Sequence, residues 1–425
     1  RIPPYRRKSR PSNDSAGCFS LSLLCSVFFD DREPIHARQG YIVKRRPIMN
    51  HPFHSFRSLF PVLSNRVYLA ACSAGALALP VSDAVDEYRR QLLESGADWQ
   101  AAMEKMAAAK EKFARLIGAE TDEIAVMSSV SDAVSAIALS LPHHRQKNKV
   151  AFTDIDFPAI GQIWLSQEAF KNKITVIQSH NGMIDLAQIQ KDICDRTLLT
   201  CVPHVSYYNG YKQDLKQIAD IVHQKGSLLF VDAYQSAGHV PINVKDMDVD
   251  ILAAGTRKYM LGIPGTAFLY VRRGLSRKFK PQMTGWFGRD GKSAFDLFDS
   301  RFAEGAKRFE TGTPSFAGLY AADAALEILL DVGADRIDAY LRKLAGFALE
   351  YGAEKGLRIA GPQTVRNRSS LISIYAGDAA GIGAVLRERN VITAARKDVI
   401  RIAPHFYNTE EDIKQAIDEI SALLH

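Results

Sequence analysis

Seven short apolar segments, separated by longer amphipathic stretches, constrain the fold of this chain more than any other feature. They cover residues 123–127, 149–152, 174–178, 197–202, 227–231, 251–254 and 266–271. Several are continuous apolar runs, which is the pattern of strands buried on both faces of a largely parallel sheet. Helical periodicity fills many of the gaps between them. The sequence therefore predicts an α/β fold built on a mostly parallel seven-stranded sheet.

Helical periodicity also predicts elements on both sides of these strands. The predicted helices include residues 81–93, 99–117 (ended by Gly118), 213–224, 318–330 and 410–424. Two more strands, at 371–375 and 399–402, fall between the last two helices. Because 425 residues exceed what one small core supports, we expect a large domain over 49–315 and a smaller C-terminal α/β domain over 316–425.

Residues 1–48 differ from the rest of the chain in charge. They hold ten Lys or Arg against four Asp or Glu, and so carry six of the seven net positive charges. The nearly neutral remainder argues against a nucleic-acid partner. Residues 17–29 resemble a signal-peptide core, but no small-residue cleavage site follows, and no Met precedes Met49. We expect residues 1–48 to be a disordered leader or an extension translated upstream of the true start.

Cysteine spacing and hydropathy bear on the cellular compartment. Two of the five cysteines lie in the first 48 residues, and Cys72, Cys194 and Cys201 show neither disulfide nor metal-site spacing. The sequence has no apolar run of about 18 residues that could span a bilayer. These features predict a cytoplasmic protein with no membrane partner and no bound metal.

An acidic and a basic residue follow two of the buried strands. Asp232 comes directly after the apolar run 227–231, and Lys258 follows the run 251–254 after a short turn. Open α/β sheets bind ligands at the carboxyl ends of their strands. A buried carboxylate is unfavourable without a partner. The two residues could form a structural ion pair, or they could act together on a ligand.

The residues around this pair resemble the class V aminotransferase group of enzymes, which depend on pyridoxal phosphate (PLP) and have fold type I. The branch in question includes cysteine desulfurases, selenocysteine lyase, isopenicillin N epimerase and kynureninase. The resemblance runs from about Arg66 to the C-terminus. It rests on Asp232, Gln235, the Gly-His-Val-Pro run at 238–241, and Lys258 followed by Gly-Ile-Pro-Gly at 262–265.

By this resemblance Lys258 forms the internal aldimine with PLP, Asp232 pairs with the protonated pyridine nitrogen, and Gln235 hydrogen-bonds the ring's phenolic oxygen. The chemistry needs these residue types. A pyridinium held charged by a carboxylate is an electron sink for a carbanion at the substrate α-carbon. A lysine in a dry pocket has a lowered amine pKa, so it can form a Schiff base and carry protons. The resemblance therefore implies that Lys258 and Asp232 are the catalytic residues.

The phosphate of such a cofactor is expected at a helix N-terminus. Residues 127–132 follow a predicted strand and open an apolar helix at 133–141, with Ser131 placed as the N-cap. Ser129-Val130-Ser131 stands where the family has a Gly-Ala-Thr-like turn. We expect the backbone N–H groups of Val130 and Ser131 and the Ser131 hydroxyl to hold the phosphate. A plain Ser-capped helix is the alternative.

Three further cofactor contacts are implied by the resemblance. Phe157 falls where family members stack an aromatic ring or a His on the pyridine ring, although a core Phe would give the same pattern. Tyr207 stands where an Asn often lies near the cofactor. Arg257 replaces a His that helps hold the phosphate in desulfurases, and its guanidinium could do the same.

Substrate and partner contacts are implied at three other positions. Arg401 matches the Arg that binds the substrate α-carboxylate, a task that suits its planar fork; a surface strand Arg is the alternative. Trp286 resembles part of a substrate-loop motif of one subgroup, although an ordinary packed Trp would look alike. Thr313 matches a residue that reaches the phosphate of the neighbouring subunit. It therefore implies a homodimer with shared active sites.

The sequence lacks the cysteine on which desulfurases depend. Those enzymes carry a nucleophilic Cys on a loop just before the strand of the carboxylate-binding Arg. No Cys follows Cys201, and residues 391–399 are too few for that loop. We therefore expect α-carbon chemistry on a small amino acid, by transamination or elimination. The alternatives are an epimerase resembling isopenicillin N epimerase and a catalytically inactive PLP-fold binding protein.

Overall fold

The structure is a computed structural model that describes residues 51–142, 146–291 and 295–425. The expectation for residues 1–48 lies outside the described residues. The α-helices are α1 His54–Arg57, α2 Leu79–Glu94, α3 Trp99–Ile117, α4 Val130–Ser140, α5 Pro158–Leu165, α6 Leu186–Asp192, α7 Leu215–Gln224, α8 Phe316–Val332, α9 Ala334–Glu354, α10 Ala379–Glu388 and α11 Glu410–Leu424. Short 3-10 turns cover Pro61–Ser64, Thr121–Glu123, Glu168–Phe170, Ser276–Lys278, Trp286–Gly288 and Gly305–Phe309.

The strands form three sheets. They are β1 Val67–Tyr68, β2 Ile124–Met127, β3 Lys149–Thr153, β4 Ile174–Ile177, β5 Thr197–Pro203, β6 Leu228–Asp232, β7 Ile251–Gly255, β8 Ala267–Val271, β9 Ile359–Ala360, β10 Ile372–Tyr375, β11 Val391–Ile392, β12 Ala394–Arg396 and β13 Val399–Ile402. The largest sheet has seven strands in the order β2-β8-β7-β6-β5-β3-β4. A four-stranded sheet has the order β12-β13-β10-β9, and β1 pairs with β11.

The seven-stranded sheet is mostly parallel. The strands from β4 to β7 pair in parallel, and β8 lies antiparallel between β7 and β2. Its strands match the seven predicted ones to within one residue at either end. The α/β class and the mostly parallel sheet are therefore confirmed.

Burial on both faces explains why these strands are continuous apolar runs. Successive side chains of a strand point to opposite faces. Phe230 therefore packs into the core on one face, while Leu229 and Val231 pack into the core on the other. Helices cover both cores, as parallel sheets require. Because β5, β6 and β7 run parallel, their carboxyl ends lie at one edge of the sheet, where open α/β sheets bind ligands.

Both ends of α3 are defined by local capping residues. α3 begins after Asp98, whose carboxylate accepts a hydrogen bond from the Ala101 N–H at 3.0 Å. It ends at Gly118, which adopts φ 70°, a left-handed conformation that glycine tolerates best. The predicted C-cap at Gly118 is therefore confirmed.

Contacts cross the predicted domain boundary in both directions. β1 comes from the N-terminal part of the chain, but it pairs in parallel with β11. Conversely, α8 lies after residue 315 and packs against α2 and α3. The division into 49–315 and 316–425 stays a prediction.

Within residues 51–142, 146–291 and 295–425, no helix combines the length and the apolar character that a bilayer crossing needs. The same ranges contain no group of three or more His, Cys, Asp or Glu side chains placed to hold a metal ion.

Candidate active site

A cavity of about 820 Å³, its open mouth included, lies at the carboxyl edge of the seven-stranded sheet. This size is typical of small-molecule sites. Most residues predicted to bind cofactor or substrate line it: Val130, Ser131, Phe157, Tyr207, Asp232, Gln235, Arg257, Lys258 and Arg401. These residues come from widely separated parts of the sequence, so the fold brings the predicted site together.

Lys258 lies in a tight turn just beyond β7. The Leu261 N–H donates to the Lys258 carbonyl at 3.1 Å, and Gly262 N–H donates to the Thr256 carbonyl at 2.9 Å. Leu261 adopts φ 61°, a left-handed conformation that is strained for a branched side chain. The Lys258 side chain is buried, with 7% of its surface exposed. Burial lowers the pKa of its amine to about 8, although the nearby Asp232 carboxylate opposes the shift.

Asp232 ends β6, the strand next to β7. One of its carboxylate oxygens accepts a hydrogen bond from the Tyr234 N–H at 2.9 Å. Burial raises the pKa of this carboxyl, while that hydrogen bond and Lys258 oppose the rise. Asp232 and Lys258 do not form an ion pair with each other, and neither has an ion-pair partner within 4.0 Å among the residues that the structure describes. The structural ion pair considered from the sequence is therefore absent.

Gln235 is hydrogen-bonded to the Cys72 backbone, and both residues line the cavity. Its side-chain nitrogen donates to the Cys72 carbonyl at 3.0 Å. Its side-chain oxygen is buried and has no hydrogen-bond partner in the described structure. Such an atom is costly to bury alone, so it points to a polar ligand group in the cavity. The second amide hydrogen of Gln235 also remains available for a ligand oxygen.

The chain next to Cys72 closes tightly on the Lys258 turn. The Gly75 N–H donates to the Arg257 carbonyl at 2.8 Å. A Cβ atom added at Gly75 would lie 2.5 Å from the Lys258 carbonyl oxygen. Only glycine allows this approach, which holds the Lys258 backbone in place.

The aromatic ring of Tyr234 lies against the Lys258 amine. The Lys258 nitrogen lies 4.0 Å from the centre of the Tyr234 ring. The ring occupies space beside Gly255, where an added Cβ would lie 2.3 Å from a ring carbon. Burial raises the pKa of the Tyr234 hydroxyl, and the positive charge of Arg257 opposes the rise. Tyr234 is not predicted from the sequence as a site residue, although its position between the predicted site residues Asp232 and Gln235 could have indicated it.

The helix that faces the cavity begins earlier than predicted. α4 starts at Val130, and its N-cap is Ser129, whose hydroxyl accepts from the Asp132 N–H at 3.0 Å. The prediction of Ser131 as N-cap is therefore wrong. The apolar run had suggested a start near residue 133, but an N-cap side chain reaches the amide three residues later. Val130 and Ser131 lie instead in the first helical turn, where backbone N–H groups lack partners within the helix.

Two aromatic residues, Phe157 and Tyr207, line the cavity near Lys258. Phe157 precedes α5, and its ring centre lies 5.6 Å from the Lys258 nitrogen. The ring is 39% exposed, so it is not a core residue. It meets the buried Tyr207 ring edge-on, with the ring centres 5.2 Å apart. Phe157 thus presents a face to the cavity, as a stacking role requires.

Arg401 is a buried cation without a counter-ion. It lies on β13, and 1% of its surface is exposed. Its guanidinium donates to the carbonyls of Tyr207 at 2.8 Å and Ala394 at 3.2 Å. No carboxylate of the described residues lies within the 4.0 Å ion-pair distance. Since buried charges are normally paired, Arg401 is placed to bind an anion that enters the cavity. The alternative of a surface strand Arg is contradicted.

Two predicted residues do not line the cavity of this chain. Thr313 is exposed, outside the cavity. Trp286 stacks on Trp99, with the ring centres 5.6 Å apart, and is 37% exposed. Their roles in substrate binding and across a subunit interface stay predictions.

Several cavity residues were not predicted to act there: Cys72, Ser73, Ser129, Tyr234 and Arg396. Of these, Cys72 shows neither disulfide nor metal-site spacing in the sequence. Burial raises the pKa of its thiol, while the positive charges of Arg401, Lys258 and Arg396 oppose the rise. Its position follows from the Gln235 contact, which joins residues 163 positions apart and could not be deduced from local pattern.

The arrangement fits PLP. A buried lysine amine and a buried carboxylate flank the cavity without contacting each other. Beside them lie an unpaired amide oxygen on Gln235, an aromatic face on Phe157 and a helix N-terminus at Val130. These groups match a Schiff-base-forming aldehyde, a cationic ring nitrogen, a polar ring substituent, a flat ring and a phosphate. The match rests on the chemistry of these groups and on their position around one cavity.

Comparison with known proteins gives the same result. Residues 68–416 match the family model for class-V aminotransferases. An uncharacterized aminotransferase of Bacillus subtilis, YcbU, is 48% identical over 88% of this chain and 99% of its own length. A probable cysteine desulfurase of Halalkalibacterium halodurans is 28% identical over 76% of this chain and 82% of its own length.

Among solved structures, that of a cysteine desulfurase from Thermococcus onnurineus superimposes with a TM-score of 0.79. It covers 90% of this chain and 99% of its own at 23% identity, and so supports fold type I. Together with the cavity chemistry, these findings establish that the chain belongs to the class-V aminotransferase family of PLP-dependent enzymes.

Proposed function

We propose that this enzyme acts at the α-carbon of a small amino acid, by amino transfer or by elimination. The observation that carries the proposal is the set of three buried charged groups around one cavity, Lys258, Asp232 and Arg401, none of which has an ion-pair partner in the described structure. A protein that only needed stability would pair or remove such charges. Unpaired charges in a cavity indicate ligand binding and catalysis.

The residues divide the task of holding the cofactor. Lys258 would attach it through Nζ, and Asp232 would face its ring nitrogen. The first turn of α4, at Val130 and Ser131, would bind the phosphate through backbone N–H groups, with Arg257 adding a positive charge. When bound, PLP supplies an electron sink for the bond broken at the substrate α-carbon.

Lys258 would also move the proton. Its amine pKa of about 8 leaves a substantial neutral fraction near pH 7 to 8, so Nζ can accept a proton from the α-carbon and return it elsewhere. Arg401 would bind the α-carboxylate and so fix the α-carbon near that amine. Phe157 and Tyr207, which line the cavity, would add apolar surface beside that amine.

An amino-acid panel tests the proposal. The PLP-loaded full chain is incubated with each amino acid, with and without a keto acid. Amino transfer, ammonia release and loss of optical activity are then followed separately. We expect amino transfer or ammonia release with at least one small amino acid, and neither with Lys258→Ala. Loss of optical activity alone would favour an epimerase, and an unreactive panel would favour a binding protein.

We further propose a homodimer in which Thr313 approaches the cavity of the other subunit. The support is the exposure of Thr313 together with the apolar side chains Phe295, Leu297 and Phe298, each about nine-tenths exposed. Exposed apolar patches of this kind mark contact surfaces. Sedimentation velocity should give a dimer, and Thr313→Ala should lower PLP affinity. A monomer with full cofactor occupancy would contradict this.

We propose a cytoplasmic location because the described cysteines are free thiols. Cys72, Cys194 and Cys201 are free in the described structure, and free thiols persist in reducing compartments. Fractionation of the producing cells, with thiol counting on the native enzyme, would test this. Recovery of the enzyme from an oxidising compartment would exclude it.

A further inference from the structure

Arg396 and Arg401 lie on one face of the same β-hairpin. β12 and β13 pair antiparallel, with Ala394 opposite Arg401 and Arg396 opposite Val399. Residues two apart on a strand share a face, so Arg396 is the diagonal neighbour of Arg401, at a typical separation of about 7–8 Å. Both side chains line the cavity.

The end of this hairpin is anchored, which keeps Arg396 at the cavity. The turn residue Lys397 adopts φ 51°. The next residue, Asp398, accepts a hydrogen bond from the Tyr208 hydroxyl at 2.7 Å. Lys397 also places its ammonium 5.8 Å from the centre of the Tyr208 ring. Since Tyr208 follows β5, the hairpin tip is tied to the segment that carries Tyr207.

The charges around the cavity leave Arg396 without a partner. The charged lining residues are Asp232, Arg257, Lys258, Arg396 and Arg401. In the proposed function Asp232 faces the ring nitrogen, Lys258 carries the cofactor, Arg257 assists the phosphate and Arg401 takes the α-carboxylate. The Arg396 side chain is exposed and makes no ion pair within 4.0 Å with any described residue. Arg396 is therefore the lining cation to which the proposed function gives no role.

Arg396 and Arg401 also influence the same buried group. Burial raises the pKa of the Cys72 thiol, and Arg401, Lys258 and Arg396 are the cations that oppose the rise. Their shared hairpin face and their common influence on Cys72 group Arg396 with Arg401.

We infer that Arg396 is a specificity residue that binds a second acidic group, so that the substrates are amino acids with an acidic side chain. The inference rests on the proposed function and deepens it. Two guanidinium groups on one hairpin face can grip two anionic groups of one small molecule. An uncharged side chain would leave Arg396 unmatched at the cavity wall.

The test compares acidic amino acids with their amides. The PLP-loaded full chain is titrated with aspartate, asparagine, glutamate and glutamine. The change in cofactor absorbance gives each dissociation constant, and kcat/KM is measured in parallel. We expect the wild type to prefer at least one acid over its amide by about tenfold or more, the usual size for a charge-assisted hydrogen bond. Arg396→Gln should abolish this preference by weakening the acid and leaving the amide unchanged, and Arg396→Lys should restore part of it.

Lys397→Gln is the matched control, because it removes a positive charge one residue away on the hairpin without lining the cavity. It should keep the preference for the acid. Equal binding of acid and amide by the wild type, or equal loss of both in Arg396→Gln, would overturn the inference while leaving the proposed function intact. The absence of a spectral change with every amino acid would overturn both.

Discussion

Asp232 is the last residue of β6, and Lys258 follows the neighbouring parallel strand β7; both are buried, yet they do not form an ion pair within 4.0 Å. Their charged groups influence each other, since Asp232 partly offsets the burial that lowers the pKa of the Lys258 amine. This separation would let Asp232 hold a cationic ring nitrogen while the Lys258 amine reacts with an aldehyde. The relationship explains why both groups are retained in an apolar setting, where each alone is unfavourable.

Replacing Lys258 by Ala should abolish the covalent link to PLP that borohydride reduces. The cavity would keep its other cofactor contacts, so weak noncovalent binding should remain. Mass spectrometry after borohydride treatment measures the link. Lys245→Ala removes an exposed lysine paired with Glu120 and should retain the modification on Lys258. A Lys258→Ala protein that still acquires the modification at this site would disprove the assignment.

The capture of PLP by the cofactor-free protein should depend on pH in a characteristic way. Only the neutral amine attacks an aldehyde, and burial lowers the Lys258 pKa from 10.5 to about 8. The neutral fraction therefore rises with pH and levels off just above 8. Stopped-flow absorbance should show a capture rate that increases up to that pH and then becomes constant, after correction with a free lysine analogue. A rate that continues to rise about tenfold per pH unit beyond 9 would indicate an unshifted amine.

Arg401→Ala should raise KM strongly for any amino-acid substrate. The lost interaction between guanidinium and carboxylate corresponds to roughly 1.5–3 kcal/mol. Because Arg401 is buried, the absorbance of bound PLP and the melting temperature are recorded to verify folding. The KM of Arg401→Lys, which keeps the charge, should lie between those of the wild type and Arg401→Ala. Arg366→Ala, at an exposed position, should have the KM of the wild type. An unchanged KM in folded Arg401→Ala would place the carboxylate elsewhere.

Ser129→Ala and Ser131→Ala should separate helix capping from cofactor binding. Loss of the Ser129 cap should lower the free energy of unfolding by about 1 kcal/mol. Ser131 does not cap α4, so Ser131→Ala should leave the unfolding energy of the cofactor-free protein nearly unchanged and weaken PLP binding through loss of its hydroxyl. Urea unfolding and PLP titration measure the two quantities. A stability loss confined to Ser131→Ala would contradict the capping assignment.

No thiol of this enzyme should become persulfidated during turnover with cysteine. Cys72 lines the cavity, but burial raises the pKa of its thiol and so disfavours the thiolate. Cys201 is buried and its pKa is likewise raised. Cys194, whose pKa is lowered, does not line the cavity. Alkylation and mass spectrometry during turnover, with Cys72→Ser as a control, would detect a persulfide. A kinetically competent persulfide on any of the three would restore the desulfurase assignment.

The order of the strands along the chain and the core of the site were predictable from the sequence. Strands buried on both faces must be continuously apolar, so β2 to β8 stand out against the helices that separate them. Asp232 and Lys258 stand out because a charge directly after such a strand is costly unless it has a use. The parallel topology then brings those strand ends to one edge of the sheet.

Other features depended on contacts between residues far apart in the chain, which no local pattern encodes. Trp286 stacks on Trp99 and does not line the cavity. The Gln235 amide is hydrogen-bonded to Cys72, which does line it. The α4 cap was mispredicted by two residues, because Ser129 and Ser131 have the same local propensity and only the backbone geometry chooses between them. Strand register decides which arginines line the cavity, since a shift by one residue would turn Arg396 to the other face. Local sequence thus determined which elements form and where charges follow them, and the tertiary packing decided which of those side chains share one cavity.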